Sequence, residues 1–135
     1  MGRDFKKFQI WNMAYSLVLK SYKILENFPD YENKNITDQI RRAVTSLPLN
    51  IAEGAGSPSN REFLQFLGFS YRSAKELEVL FMLSKDLKYI NDKTYLDISK
   101  ELEEFKGRMY RFMESVDKEI KEGKRNYSFN WKRKK

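Results

Sequence analysis

Gln39-Ile40-Arg41-Arg42-Ala43, Ser46-Leu47-Pro48-Leu49-Asn50-Ile51-Ala52-Glu53-Gly54, Ser59-Asn60-Arg61-Glu62-Phe63 and Glu76-Leu77-Glu78 follow one another within a single stretch of the chain. Ile36, Ile40, Ala43 or Val44, Leu47 and Ile51 recur at helical spacing and line one side of a helix over about Thr37 to Gly54. Pro48 falls inside it, so a kink is expected between Val44 and Pro48, where the ring clashes with the carbonyl four residues back. Gly54 and Gly56 suit the left-handed position that closes a helix. Ser59 then stands as an N-cap with Glu62 three residues on, the pattern of a capping box. A second helix runs from there to about Lys88, with Phe63, Leu67, Ser70, Ala74, Leu77, Phe81 and Ser84 on one face. The small residues Ser70, Ala74 and Ser84 allow a neighbouring helix to come close.

Outward from this hairpin the same period continues. Phe8, Trp11, Tyr15, Val18, Tyr22 and Leu25 recur at spacings of 3 and 4, with Ile10, Ala14, Leu17, Ile24 and Phe28 beside them. This predicts a helix over about Phe5 to Asn27, ended by Pro29. Asn91 and Asp92 break the third pattern and can cap a fourth helix, over about Lys93 to Glu122. Ile98, Leu102, Phe105, Met109, Phe112, Val116 and Ile120 form its core stripe. Lys100, Glu103, Glu104, Arg108, Arg111, Lys118 and Lys121 form its solvated face, and Gly123 ends it. Four helices with short connections predict an all-α, antiparallel up-down bundle over residues 1–123. Helices one and three carry more apolar surface than one small bundle needs, which points to subunit contacts.

Composition narrows the chemistry. The chain of 135 residues has no cysteine and no histidine. Disulfides and thiol chemistry are out, zinc is disfavoured, and the commonest general base is missing. A reducing cytoplasm is the expected setting. No run of about 18 apolar residues predicts a membrane span, and the N-terminal residues lack the form of a signal peptide. The net charge is +7, but six Lys/Arg and no acid lie in residues 124–135. The rest of the chain holds 20 bases against 19 acids, so the basic character belongs to the tail.

That tail, Lys124-Arg125-Asn126-Tyr127-Ser128-Phe129-Asn130-Trp131-Lys132-Arg133-Lys134-Lys135, interleaves cations with aromatics. Lys124, Arg125, Lys132, Arg133, Lys134 and Lys135 can displace counterions from phosphates, and Tyr127 and Trp131 can stack on unpaired bases. The same tail also suits solubility, packing on a neighbouring protomer, or an anionic membrane surface.

Arg41 and Arg42 are adjacent, so they point about 100° apart. Each is open to a phosphate or to an acid of the same or a neighbouring protomer, Glu53, Glu76 and Glu78 being the near choices. Gln39 and Asn50 lie about three turns apart on one helix. They read as a buried polar ladder that fixes register, or as a base-reading pair. Glu53, Glu76 and Glu78 raise a carboxylate metal site, but di-iron bundles use Glu-x-x-His pairs. No nucleophile–base pair or phosphate loop is present. The expectation is therefore no enzyme and no cofactor.

These residues resemble the four-helix-bundle family encoded by intervening sequences in bacterial 23S ribosomal RNA genes. The matching pieces are Trp11, Ala14, Phe28-Pro29 with Glu32, Gln39 to Ala43, Ser46 and Asn50-Ile51-Ala52-Glu53-Gly54. Glu62-Phe63, Phe66-Leu67, Ser73 and Glu76-Leu77-Glu78 complete them. Two departures stand out: Arg72 where the family has a glycine, and Ser57 where a basic residue often follows the glycine turn. The resemblance implies a homopentameric ring without enzymatic activity. It also gives Gln39, Asn50, Glu53, Gly54, Glu76 and Glu78 structural or interface roles. Together with the tail, the resemblance leads to the expectation of RNA or DNA as partner, bound through Arg41, Arg42 and the tail, or of a protein held on the ring as a scaffold.

Overall fold

In the computed structural model, residues 3–123 are described. A 3-10 turn, Phe5–Lys7, leads into α1, Gln9–Leu25. A second 3-10 turn, Asp30–Glu32, joins it to α2, Ile36–Ala55; α3 is Asn60–Asp86 and α4 is Asp92–Lys121. All regular structure among the described residues is helical. Helix α1 packs on α2 and α4, and α3 packs on α2 and α4, while the backbones of the diagonal pairs stay apart. This is the up-down-up-down arrangement expected from four amphipathic stripes with short loops. The α2–α3 seam is the most extensive and the α1–α4 seam the least.

The core takes one stripe from each helix. One buried cluster joins Ala14 and Leu17 of α1, Ile40, Val44, Leu47 and Ile51 of α2, Phe63, Leu67, Leu77 and Phe81 of α3, and Leu102, Phe105 and Met109 of α4. All of these are buried. Each large apolar side chain so buried stabilises the fold by about 1.5–3 kcal/mol relative to exposure. Ser70, Ala74 and Ser84 are also buried, and the Ser70 hydroxyl donates to the Leu47 carbonyl at 3.1 Å. The small stripe on α3 thus lets α2 approach closely enough for a side chain to reach its backbone.

The helix ends follow local chemistry. Ser59 Oγ accepts the Glu62 N–H at 3.2 Å, and Asn91 Oδ1 accepts the Thr94 N–H at 2.8 Å. Helix α2 has no cap from its own Asn35; instead the Ile36 N–H donates to Glu32 Oε1 at 3.4 Å. Helix α3 ends on Lys88 in the left-handed region, φ 66°. There the Tyr89 N–H donates to Ser84 O and the Lys88 N–H to Lys85 O, both at 2.9 Å, the paired bonds of a Schellman ending.

At Pro48 the helix continues as the sequence reading has it, and at the glycines it differs. Helix α2 runs unbroken through Pro48 to Ala55. Around the proline, Thr45, Ser46 and Asn50 side chains donate to the Arg41, Ala43 and Ser46 carbonyls, so polar side chains reinforce this turn of the helix. Gly54 and Gly56 are not left-handed: Gly54 lies within the helix and Gly56 caps it with φ −84°. Among the described residues the left-handed glycine is Gly123, φ 76°, after α4. Gly54 is required for space. A Cβ there would sit 2.7 Å from Phe66 Cβ and 3.3 Å from the Phe63 carbonyl oxygen.

Candidate nucleic-acid and assembly surfaces

The motif residues divide between the hairpin seam and its outer surface. Gly54 sits in the seam against Phe63 and Phe66. Gln39, Arg42, Leu49 and Glu53 are exposed and Ser46 half-buried; their spacings of 3, 4, 3 and 4 align them along the outside of α2. Gln39 Nε2 donates to Asn35 Oδ1 at 2.8 Å, and Asn50 Nδ2 to Ser46 O at 2.9 Å. With Gln39 exposed and Asn50 half-buried, each amide serves its own helix, and the two do not form a buried ladder.

The arginine pair diverges as adjacency requires. Arg42 Nε lies 3.2 Å from Asp38 Oδ2, one turn earlier, and Arg41 Nη2 donates to the Asn33 carbonyl at 3.3 Å. Glu53, Glu76 and Glu78 bridge to neither within the protomer. Glu53 and Glu76 are exposed. Glu78 turns toward α4 and meets Lys106 at 2.6 Å, with Glu103 at 3.3 Å on the other side of the same ammonium. Lys106 is buried. That burial works against its charge, but the hydrogen bonds to Glu78 and then Glu103 outweigh it and hold the ammonium above the ordinary lysine range. Among the described residues no three carboxylates gather as metal ligands. The tail residues Lys124, Arg125, Tyr127, Trp131, Lys132, Arg133, Lys134 and Lys135 lie outside the described residues.

Glu32, part of the sequence resemblance, joins the two loops at one end of the bundle. Its buried carboxylate caps α2 and accepts the Tyr89 hydroxyl at 2.6 Å. That hydrogen bond, with Tyr31 adding to it, raises the Tyr89 phenol well above its usual range.

Two apolar stripes face solvent. On α1, Trp11 stacks on Tyr15 with ring centroids 5.1 Å apart, and Tyr15, Leu19 and Tyr22 are 50, 59 and 44% exposed. On α3, Phe69, Arg72, Glu76, Val79, Leu83 and Leu87 are all exposed and share one outer stripe by their spacing. Arg72 lies over the Phe69 ring, 5.2 Å from its centroid. The departure from glycine therefore falls on the outside of α3, and the close approach to α2 is made by Ser70 one step inward.

Where α1 begins, against the middle of α4, lies a basic hollow that the sequence read only as part of a solvated face. Lys7, Arg108 and Arg111 line it beside Phe8 and Phe112, and Arg108 Nη1 donates to Gln9 Oε1 at 2.9 Å. In sequence, Arg108 and Arg111 could have been paired by their spacing of three. Lys7 joins them only because α1 and α4 run antiparallel.

The model of the 23S rRNA-intervening sequence proteins matches residues 6–111. The chain belongs to that family. The 23S rRNA-intervening sequence protein is also similar to a solved structure from Bacteroides thetaiotaomicron, a protein of unknown function from the S23 ribosomal protein family. The TM-score is 0.70 at 22% identity, over 77% of this chain and 97% of the other. That likeness supports the four-helix architecture. No curated protein matches the chain. None of the described helices is long and apolar enough to cross a membrane.

Proposed function

We propose that this 23S rRNA-intervening sequence protein is a non-enzymatic bundle that assembles into a ring and binds RNA in the cytoplasm. The observation that carries the assembly is the pair of exposed apolar stripes on α1 and α3. They lie on diagonally placed helices, so they present different faces. A contact of one protomer's α1 stripe with the next protomer's α3 stripe is heterologous, and such contacts make a ring when the rotation between subunits closes. Homopentamer is the ring size that the family resemblance implies. RNA binding draws on the basic-aromatic residues 124–135, with Arg41 and Arg42 as further contacts, and repetition around a ring multiplies weak affinity. The test is the solution mass by light scattering, with and without a short mixed-sequence RNA, at low and moderate salt. A mass near five protomers that gains RNA at low salt and releases it as salt rises supports the proposal. A monomer refutes the assembly, and a ring indifferent to RNA refutes the binding.

A second reading has its own observation. Arg42 is already engaged by Asp38, and the chain outside residues 124–135 is almost neutral. A ring of this kind also serves as a scaffold for a protein partner. Pull-down from extract after nuclease treatment separates the two: a partner kept under nuclease supports the scaffold, and loss of every partner counts against it.

A further inference from the structure

The hollow between the start of α1 and the middle of α4 has a volume of about 380 Å³, within the usual size range of small-ligand sites. Lys7, Arg108 and Arg111 supply three cations, Phe8 and Phe112 an apolar wall, and Gln9 an amide; no carboxylate lines it. Among the described residues, neither Lys7 nor Arg111 has an acid within ion-pair distance. Arg108 is held by the neutral Gln9 amide, which positions the guanidinium without neutralising it. Three uncompensated cations around one concavity focus a positive potential there. A second cavity of about 410 Å³ shares Lys7, Phe8 and Phe112 and adds Arg3 and Asn60. Arg3 stacks over Phe63, 4.2 Å from its centroid. The acids at that second cavity are already occupied: Glu119 accepts from Asn60 Nδ2 at 3.0 Å, and Asp4 from the Lys6 N–H at 3.2 Å.

We propose that the α1–α4 hollow is a phosphate site that seats a backbone phosphate of single-stranded RNA. Planar guanidinium forks match phosphate oxygens two at a time. The half-buried Phe8 and Phe112 offer the adjoining base an aromatic surface. The proposal rests on the RNA reading above and assigns the contact to a different surface from Arg41 and Arg42. Lys121, the last residue of α4, lies ten residues beyond Arg111, about 15 Å at helical rise, and the basic residues 124–135 follow it in sequence. A strand bound by those residues has the hollow as a second anchor on the same chain.

The experiment uses the full chain and a short fluorescein-labelled oligouridylate, followed by anisotropy across a salt series. Arg108 and Arg111 are both exposed, so Arg108→Gln/Arg111→Gln keeps the bundle, as circular dichroism will show. The double variant binds at least ~10-fold more weakly at low salt, and its log–log salt slope falls by about 1.4, two single-strand contacts of about 0.7 each. Arg108→Lys/Arg111→Lys restores most of the slope, because it restores the charge. Excess uridine monophosphate at matched phosphate concentration leaves the oligomer bound; displacement by it would reassign the site to a free nucleotide and sink the strand proposal. A glutamine variant equal to wild type in affinity and slope, beside a Lys132→Gln/Arg133→Gln/Lys134→Gln/Lys135→Gln chain that no longer binds, overturns the hollow and leaves the tail. A wild-type chain that binds no oligouridylate overturns the RNA reading itself, and the hollow with it.

Discussion

Lys106 shows how a single residue can couple the motif to stability. Its ammonium is buried between Glu78 and Glu103 and held charged above the ordinary lysine range. A raised folded-state pKa means the paired charge contributes fully below the unfolded value. The contribution is lost as pH climbs past it, from about pH 10 upward. Lys106→Met replaces a buried cation with an apolar chain of similar length, and Glu78 and Glu103 stay open enough to rehydrate. Stability at neutral pH should change by no more than about 1 kcal/mol. The loss above about pH 10 should be smaller in the variant than in wild type, read by denaturant unfolding at each pH. Equal alkaline losses would show that the Lys106 pair does not drive them. Glu78 was legible in the sequence as a motif carboxylate, but its partner was not. Lys106 sits next to the core residue Phe105 and among charged neighbours, and only the α3–α4 packing decides that it turns inward.

At the scale of the helix, the period and the caps were legible and the special backbone positions were not. Ser59 and Asn91 cap where the sequence placed them, because a short polar side chain before an apolar period has one economical use. Gly54 looked like a helix stop, since glycine is commonest there. Its actual task is close approach, which depends on Phe66 from a helix not yet folded against it. Gly54→Ala should therefore destabilise the chain by about 1–3 kcal/mol through overpacking of the α2–α3 seam. A helix-stop role would instead make alanine close to neutral, because the glycine is not left-handed. Lys88 is the converse case. It occupies the left-handed position at the end of α3, where a β-carbon costs about 1–2 kcal/mol, and nothing about lysine announces that geometry. Lys88→Gly relieves the strain and returns part of the gain as unfolded-chain entropy. The net should be a stabilisation of about 0.5–1 kcal/mol by thermal or chemical unfolding. A loss on this substitution would mean that the left-handed turn is not what limits the end of α3.

Across the whole molecule, the up-down order of the helices follows from four stripes and short loops, and the sequence displayed both. What surrounds the bundle was harder to read, because a helical wheel shows an apolar surplus without saying which face is left over. The structure resolves that surplus into a stripe on α1 and a stripe on α3 that do not share a seam. If these stripes meet between copies, a single charge on either one breaks the same interface. Tyr15→Glu and Leu83→Glu are both at exposed positions, so each monomer keeps its core and its helicity. Each variant should lower the mass in light scattering to that of a monomer or short open oligomer. Wild-type melting temperature should also rise with protein concentration, as mass action requires of an assembly that stabilises the fold, while the variants melt at one temperature throughout. Mixing the two variants supplies the sharper test. A heterologous contact leaves each variant with one intact face, the α3 stripe of Tyr15→Glu and the α1 stripe of Leu83→Glu, so an equimolar mixture forms a heterodimer that neither forms alone. A symmetric contact of like with like would instead let each variant dimerise through its unmutated stripe, and the mixture would show nothing new.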